Sequence, residues 1–447
     1  MKDKFGISFP LQVVKNYVTF CFRRYFSEYI VVGRENISAD CPLIFAPNHV
    51  NALMDALAVH SITPRNYPVT FLARSDLFRN KLMIKVLDFV KILPAFRMRD
   101  GVDKLGKNIE IFNKCVEILH QNKGLGIMPE GNQGDERKLR QLAKGIFRIA
   151  FNAQEKYGTE PAVKIIPIGI DYGNTTKYGD YVIINIGKPI EISEYFADYN
   201  DNPVTTLNEI RDRLYHDLNN ITLNYATELY KDCFETTVEV AATSKLEMKK
   251  LANNTISRFV ARQNITSQLI ELEKNKPETM AELNVYCAEY RHFLNKLNVK
   301  TSNLENLSSR TFLIIEGISL YCTFPVFLLG YFLNVLPFFT PDIIRKALNV
   351  EYKGFTMSLN YTFSLVTFPF FYITQTILFA YFISTTWWIV LCFSVGQYIL
   401  GKSAFKWYKR AKIFQAEIRL NRLTKNNNSE LVRLQELRKK IIQLIND

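Results

Sequence analysis

Short apolar runs alternating with helix-period patterns between Ile30 and Tyr225 predict an α/β layered domain. Two further observations extend the architecture. Residues 231–310 are polar and strand-poor, with the spaced apolar positions of soluble helices. Beyond Arg310 lie two long stretches almost without charge. The expected order is an α/β domain with flanking helices, a helical segment, and a C-terminal α-helical membrane region.

From the N-terminus, residues 1–30 come first. Residues 9–25 interleave Leu11, Val14, Val18 and Phe22 with Lys15, Arg23 and Arg24, the pattern of an amphipathic helix on a membrane surface. An ordinary packed surface helix fits the same pattern. Residues 1–6 have no adjacent long apolar core and no small-residue cleavage site, so no secretory signal is read there.

In the α/β domain, residues 31–230, strands are expected at 42–47, 69–73, 92–96, 124–128, 163–170 and 181–186. Helices are expected at 52–62, 80–89, 103–121, 141–157 and 204–230. The segment 231–310 offers no chemistry of its own.

Membrane embedding is read from residues 311–401. Between Arg310 and Asp342 the only charged side chain is Glu316, and between Lys353 and Lys402 there is none. Since about 20 apolar residues cross a bilayer, the second stretch has length for two passes. The first contains Pro325 and Pro337, which point to a break and a re-entrant or interfacial hairpin. Three crossings are the alternative.

Charge locates the partner. Of the formal net +13, residues 402–447 hold twelve Lys or Arg against four acidic residues. Cations flanking a span mark the cytoplasmic side and attract anionic lipid. The expected localisation is therefore integral to a membrane, with the preceding domain on the cytoplasmic face. No zinc-finger, RNA-recognition or basic-zipper pattern supports a nucleic-acid partner. The seven cysteines, at 21, 41, 115, 233, 287, 322 and 392, form no Cys-x-x-Cys pair, so neither disulfides nor a metal site is expected.

The most informative residues are Pro47-Asn48-His49 with Asp55, and Met128-Pro129-Glu130-Gly131. An apolar run at 43–46 and an apolar helix from Ala52 place His49 at a strand-to-helix turn, with Asp55 in the first helical turns. A histidine acts as a general base when a carboxylate fixes its tautomer and stabilises the imidazolium. His49 is the candidate base and Asp55 its partner. Taken without the surrounding order, the same residues would read as a loop histidine and a solvated helix carboxylate.

In order along residues 31–195, the blocks Asn48-His49 with Asp55, Leu93-Pro94-Ala95-Phe96-Arg97, Pro129-Glu130-Gly131 and Ile166-Pro167-Ile168 resemble the glycerolipid acyltransferase family. Residues 32–36 and Lys144-Gly145 are lesser matches. The resemblance implies a mixed sheet with flanking helices. It also implies transfer of a fatty acyl group from acyl-CoA or acyl carrier protein, a co-substrate with no further cofactor, to a phosphorylated glycerol in phospholipid biosynthesis. Arg97 would hold the acceptor phosphate with bidentate donors. Glu130 and Gly131 would form the acceptor-binding turn, where glycine lets backbone approach the substrate.

Each residue has a second reading. Arg97 also suits a surface pair with Asp100, and Arg99 competes for phosphate. Glu130 also suits the cap of a helix near Arg137. Lys144 and Arg148 read as a solvated helix face. His60, His120, His216 and His292 read as structural.

Two departures bear on the acceptor. The commonest form of the family has four residues between His and Asp, whereas Val50 to Met54 make five. An inserted residue turns a helical position by about 100 degrees, so the turn must absorb it. The longer spacing resembles glycerol-3-phosphate or dihydroxyacetone-phosphate acyltransferases. Lysophosphatidate is nonetheless preferred, because a membrane-embedded module suits an acceptor that already carries a chain. In the third block, Asn132-Gln133-Gly134-Asp135 replaces the family's small hydroxyl residue and arginine, and cations return at Arg137, Lys138 and Arg140. No Gly-x-Ser-x-Gly elbow supports a serine hydrolase. A silent membrane scaffold would have eroded motifs, yet His49, Asp55, Arg97 and Glu130 are all present.

Overall fold

The computed structural model describes residues 6–78, 80–96, 102–134, 136–158, 160–248, 250–304, 309–350 and 352–446, the side chains of 102–105 and 107 excepted. The chain divides into two compact units. One comprises residues 1–224 with 351–358, and the other residues 225–350 with 359–447.

The first unit is built on a mixed eight-stranded sheet. Its strands are β1 (Glu28–Val32), β2 (Leu43–Pro47), β3 (Val69–Arg74), β4 (Ile92–Ala95), β5 (Gly124–Gly126), β6 (Lys164–Tyr172), β7 (Tyr181–Ile186) and β8 (Ile190–Glu191). The spatial order is β1-β7-β6-β2-β5-β3-β4, with β8 also on β6. Pairing is parallel from β6 through β2, β5 and β3 to β4, and antiparallel between β6 and β7. The mixed sheet implied by the resemblance is therefore present. The run Leu-Ile-Phe-Ala-Pro of β2 is buried throughout, as a central parallel strand covered on both faces must be.

Helices supply the cover. They are α1 (Phe9–Tyr25), α2 (Ala52–Ile62), α3 (Lys81–Phe89), α4 (Val102–His120), α5 (Gly145–Tyr157), α6 (Phe196–Asp201) and α7 (Pro203–Ile221). Apolar stripes on α4 (Cys115, Ile118, Leu119), α5 (Ile146, Phe147, Ala150) and α7 (Ile210, Leu214, Leu218) close over Ile44, Leu125 and Ile165 of the sheet. The spacing of α1 places Leu11, Phe22 and Tyr25 inward and leaves Phe9, Val13, Val14, Tyr17 and Phe20 exposed.

The second unit is helical. α8 (Lys231–Met248), α9 (Thr255–Asn275), α10 (Pro277–Leu297) and the terminal α14 (Ser429–Asn446) pack together. The inward stripe of α14 is Leu431, Leu434, Leu437, Ile441 and Ile445. Arg433 binds both oxygens of Glu289 on α10, at 2.8 and 2.9 Å. The end of the basic tail is thus docked on the segment read in the sequence as a separate helical piece.

Along the chain between α10 and α14 come α11 (Arg310–Ala347), α12 (Lys353–Phe382) and α13 (Trp387–Lys425), three helices long and apolar enough to cross a membrane. α11 and α13 run antiparallel, with Glu316 against Arg410, Gly330 against Leu400 and Ala404, and Asn334 against Gln397 and Gly401. The expected break in the first stretch is corrected. α11 continues through Pro325, Pro337 and Pro341, and Thr367 donates to the Pro337 carbonyl, one of the ways a proline inside an apolar helix is accommodated.

Candidate active site

Three neighbouring parallel strands, β5, β2 and β6, end at one edge of the sheet, and the site is assembled from the residues just beyond them. A crevice outside the carboxyl ends of parallel strands is where open α/β sheets place ligands. Asn48, directly after β2, prolongs the pairing with its side chain. Its Nδ2 donates to the Ile170 carbonyl at 3.2 Å, and its Oδ1 accepts from the Ile170 amide at 2.7 Å. His49 is thereby fixed at the strand end.

The His49 imidazole meets Asp55, with Nδ1 and Oδ2 2.9 Å apart. Asp55 is fully buried, and both its oxygens are occupied by donors. Oδ2 also accepts the amides of Val50 at 2.9 Å and Asn51 at 2.8 Å, and Oδ1 accepts the Tyr172 hydroxyl at 2.9 Å. An oxygen already receiving two amide protons is an acceptor, so the proton between it and the ring belongs to Nδ1. Nε2 is left with its lone pair. Burial, reinforced by the Asp55 charge, pushes the Tyr172 hydroxyl well above its ordinary range, so it remains a donor.

The five-residue spacing is absorbed in the turn, as the sequence required. Ala52 has φ +37°, a conformation a side chain-bearing residue rarely adopts and one that costs roughly 1–3 kcal/mol. This left-handed residue lets the chain enter α2 with Asp55 still facing His49.

Glu130 lies shortly after β5 and braces the same turn. Its Oε1 accepts the His49 amide at 2.8 Å and its Oε2 the Arg140 amide at 3.1 Å. Gly134 returns a bond, donating its amide to the His49 carbonyl at 3.1 Å. The helix-cap reading of Glu130 is not what the fold uses, since the next helix starts at Gly145. Burial raises the Glu130 carboxyl to about 7, outweighing the two amides and the nearby His49 and Arg140, which pull it down. Gly131 turns the chain at φ +68°, and a Cβ there would meet nothing within 4 Å. The space above it is open.

Arg97, with Arg99 and Asp100, lies outside the described residues. The residue before it is clamped: Asn108 on α4 bonds both the amide and the carbonyl of Phe96, at 3.0 and 2.8 Å. Among the cations that return after the third block, Arg137 is committed to Asp171 at 2.5 Å and to the Tyr172 carbonyl at 2.9 Å. Arg140 differs. It is exposed, its Nη1 donates to the Gln133 carbonyl at 2.7 Å, and its guanidinium lies so close to Gly134 that a Cβ there would be 2.6 Å away. This places a cation beside the loop that holds His49.

Arg148 is solvated, as read. His60 is a core residue, 4.9 Å from the Phe71 ring, and burial pulls its imidazole down to about 3. Sequence reasoning missed Tyr172, which lies 117 residues from Asp55 and shows no local signal. It also left Arg140 unassigned, although the displaced cations after Gly131 were the available clue.

A family model described as Acyltransferase matches residues 28–171. Glycerol-3-phosphate O-acyltransferase 1 of Saccharomyces cerevisiae is 24% identical over 190 residues, covering 41% of this chain and 24% of that protein. The chain thus matches about a quarter of the yeast relative's length. The 1-acyl-sn-glycerol-3-phosphate acyltransferase of Borreliella burgdorferi is 23% identical over 201 residues, covering 43% of this chain and 73% of the relative. A solved structure, the 1-acyl-sn-glycerophosphate acyltransferase PlsC of Thermotoga maritima, is 18% identical with a TM-score of 0.33, over 46% of this chain and 78% of that one. The domain that holds His49, Asp55 and Glu130 thus matches the Acyltransferase family model, and the relatives it resembles are named as glycerolipid acyltransferases.

Proposed function

We propose that the protein is a membrane-bound O-acyltransferase that moves a fatty acyl group from a thioester donor, acyl-CoA or acyl carrier protein, to a phosphorylated glycerol. The observation that carries this reading is the His49–Asp55 pair, with Nδ1 tied to a buried carboxylate and Nε2 left basic. His49 Nε2 takes the proton of the acceptor hydroxyl as the oxygen attacks the thioester carbonyl. The tetrahedral intermediate then collapses, expelling the thiolate, which recovers the proton from the imidazolium. The acyl–sulfur bond is broken and the acyl–oxygen bond formed, with no change of oxidation state.

For the acceptor, 1-acyl-glycerol 3-phosphate is preferred, on the ground that three apolar helices suit a substrate already dissolved in lipid. Glycerol 3-phosphate or dihydroxyacetone phosphate is the second reading, favoured by the five-residue spacing and by the name of the yeast relative. Arg97 is assigned to the phosphate, with Arg140 as a second cation and Glu130 with open Gly131 as the turn the acceptor approaches. Arg97→Lys keeps the charge and loses the fork. Its acceptor KM should rise about tenfold with donor KM unchanged. A selective rise in donor KM in steady-state assays would remove Arg97 from this role.

The catalytic domain is assigned to the cytoplasmic face. Support comes from α14, which docks on α10. Residues before Arg310 and after Ser429 must then share one side, so an even number of the three apolar helices cross. Single cysteines placed near Lys353 and near Ser403 should react with an impermeant thiol reagent only when the inner face is opened. Labelling of either one from outside intact cells would refute this topology.

A further inference from the structure

We infer that Ser358, more than 300 residues from the catalytic turn in sequence, is a positioning residue for His49 and Asp55, acting through Asn51; this rests on the function proposed above. The fold presents a problem at the start of α2 that the turn does not solve by itself. Asn51 precedes the left-handed Ala52, and its side chain does not cap the helix. Its amide is one of the donors that hold Asp55 Oδ2, at 2.8 Å. Any drift of Asn51 would therefore move the carboxylate that orients His49.

Ser358 meets this need from a distant part of the chain. Its hydroxyl lies 2.9 Å from the Asn51 carbonyl and 3.1 Å from Asn51 Oδ1, sharing one proton between them. The same oxygen lies 3.3 Å from the Met54 amide, which also donates to the Asn51 carbonyl at 2.8 Å, so Ser358 reinforces the first turn of α2. Beside it, the Asn51 amide group donates to the Thr175 carbonyl at 2.9 Å and contacts Met357 Sδ at 3.6 Å. All of this is out of water: Asn51, Met54 and Met357 are fully buried and Ser358 nearly so. Ser358 thus ties down both the carbonyl and the side-chain oxygen of Asn51, and it belongs with the catalytic unit although it lies on α12. Through its bonds to Asn51 and Met54, its effect on the pair passes by way of the 51–54 backbone.

The test uses the full-length protein in membranes. Ser358→Ala should lower kcat about tenfold, with donor and acceptor KM each within about twofold of wild type, because substrate contacts are untouched. Combined with Asp55→Asn, the same change should cost little more, since its route to catalysis is already cut. Independently of turnover, hydrogen exchange of the amides of Val50, Asn51 and Met54 should speed up about tenfold in Ser358→Ala. If wild type transfers no acyl group, the proposed function fails and exchange alone decides the role of Ser358. Unchanged exchange, unchanged kcat, or an equal loss in both backgrounds would overturn it.

Discussion

His49→Ala is expected to lose essentially all acyl transfer while folding normally. The ring is partly exposed, at 17% for the side chain, so its removal opens no core cavity. What disappears is the basic lone pair the turn presents. Asp55→Asn is the sharper companion. An amide oxygen in the place of Oδ2 still accepts the His49 ring and the two backbone amides, and the amide nitrogen in the place of Oδ1 can donate to the Tyr172 oxygen. The fold is therefore retained while the charge that stabilises the imidazolium is lost. A fall in kcat of about 10³-fold or more is expected, by the logic of triad carboxylates, with thermal unfolding near that of wild type. Near-normal turnover by a folded His49→Ala protein, measured with labelled donor, would end the mechanism.

Glu130→Ala is expected to have the next largest effect. Both carboxylate oxygens hold backbone amides, those of His49 and Arg140, so the change frees the base and the nearby cation together. The loss should be about 10²-fold in kcat/KM, with kcat and acceptor KM both moved. Glu130→Gln keeps one accepting oxygen and should fall between. It also carries a pH signature. The Glu130 carboxyl sits at about 7 because of burial, above its unfolded value. It therefore favours the native state at low pH, and that contribution is lost as pH rises through about 7. In Glu130→Gln, unfolding midpoints measured across this range should lose that decline; an unchanged slope would assign the pH dependence elsewhere.

Much of this was legible in the chain because the signals are local. The helix at 9–25 follows from periodicity and the helix at 52–62 from its apolar composition after the Pro-Asn turn, and they match α1 and α2. The apolar run at 43–46 and the mostly apolar run at 163–170 become β2 and β6, the strands the site grows from. Other features were hidden because they depend on partners far along the chain. β1, from Glu28 to Val32, has no strong alternation and exists through its parallel pairing with β7. The pattern carried through 204–230 ends at Ile221 in the structure, where Asn224 turns to accept the Leu139 amide. Pro325 and Pro337 pointed to a break that the apolar setting of α11 does not make. Within the site, His49, Asp55 and Glu130 were found from their motifs, while Tyr172 and Ser358 reach it only through tertiary folding.

The central claim is acyl transfer to a phosphorylated glycerol through His49. It is tested most directly by identifying a product. Membranes containing wild type or His49→Ala would be given labelled acyl donor together with 1-acyl-glycerol 3-phosphate, glycerol 3-phosphate or an unphosphorylated lysolipid. The expected result is a labelled ester on a phosphorylated acceptor, phosphatidic acid in the preferred case, formed by wild type and absent with His49→Ala. Label released only as free fatty acid, or an ester formed equally well by the His49→Ala protein, would contradict it.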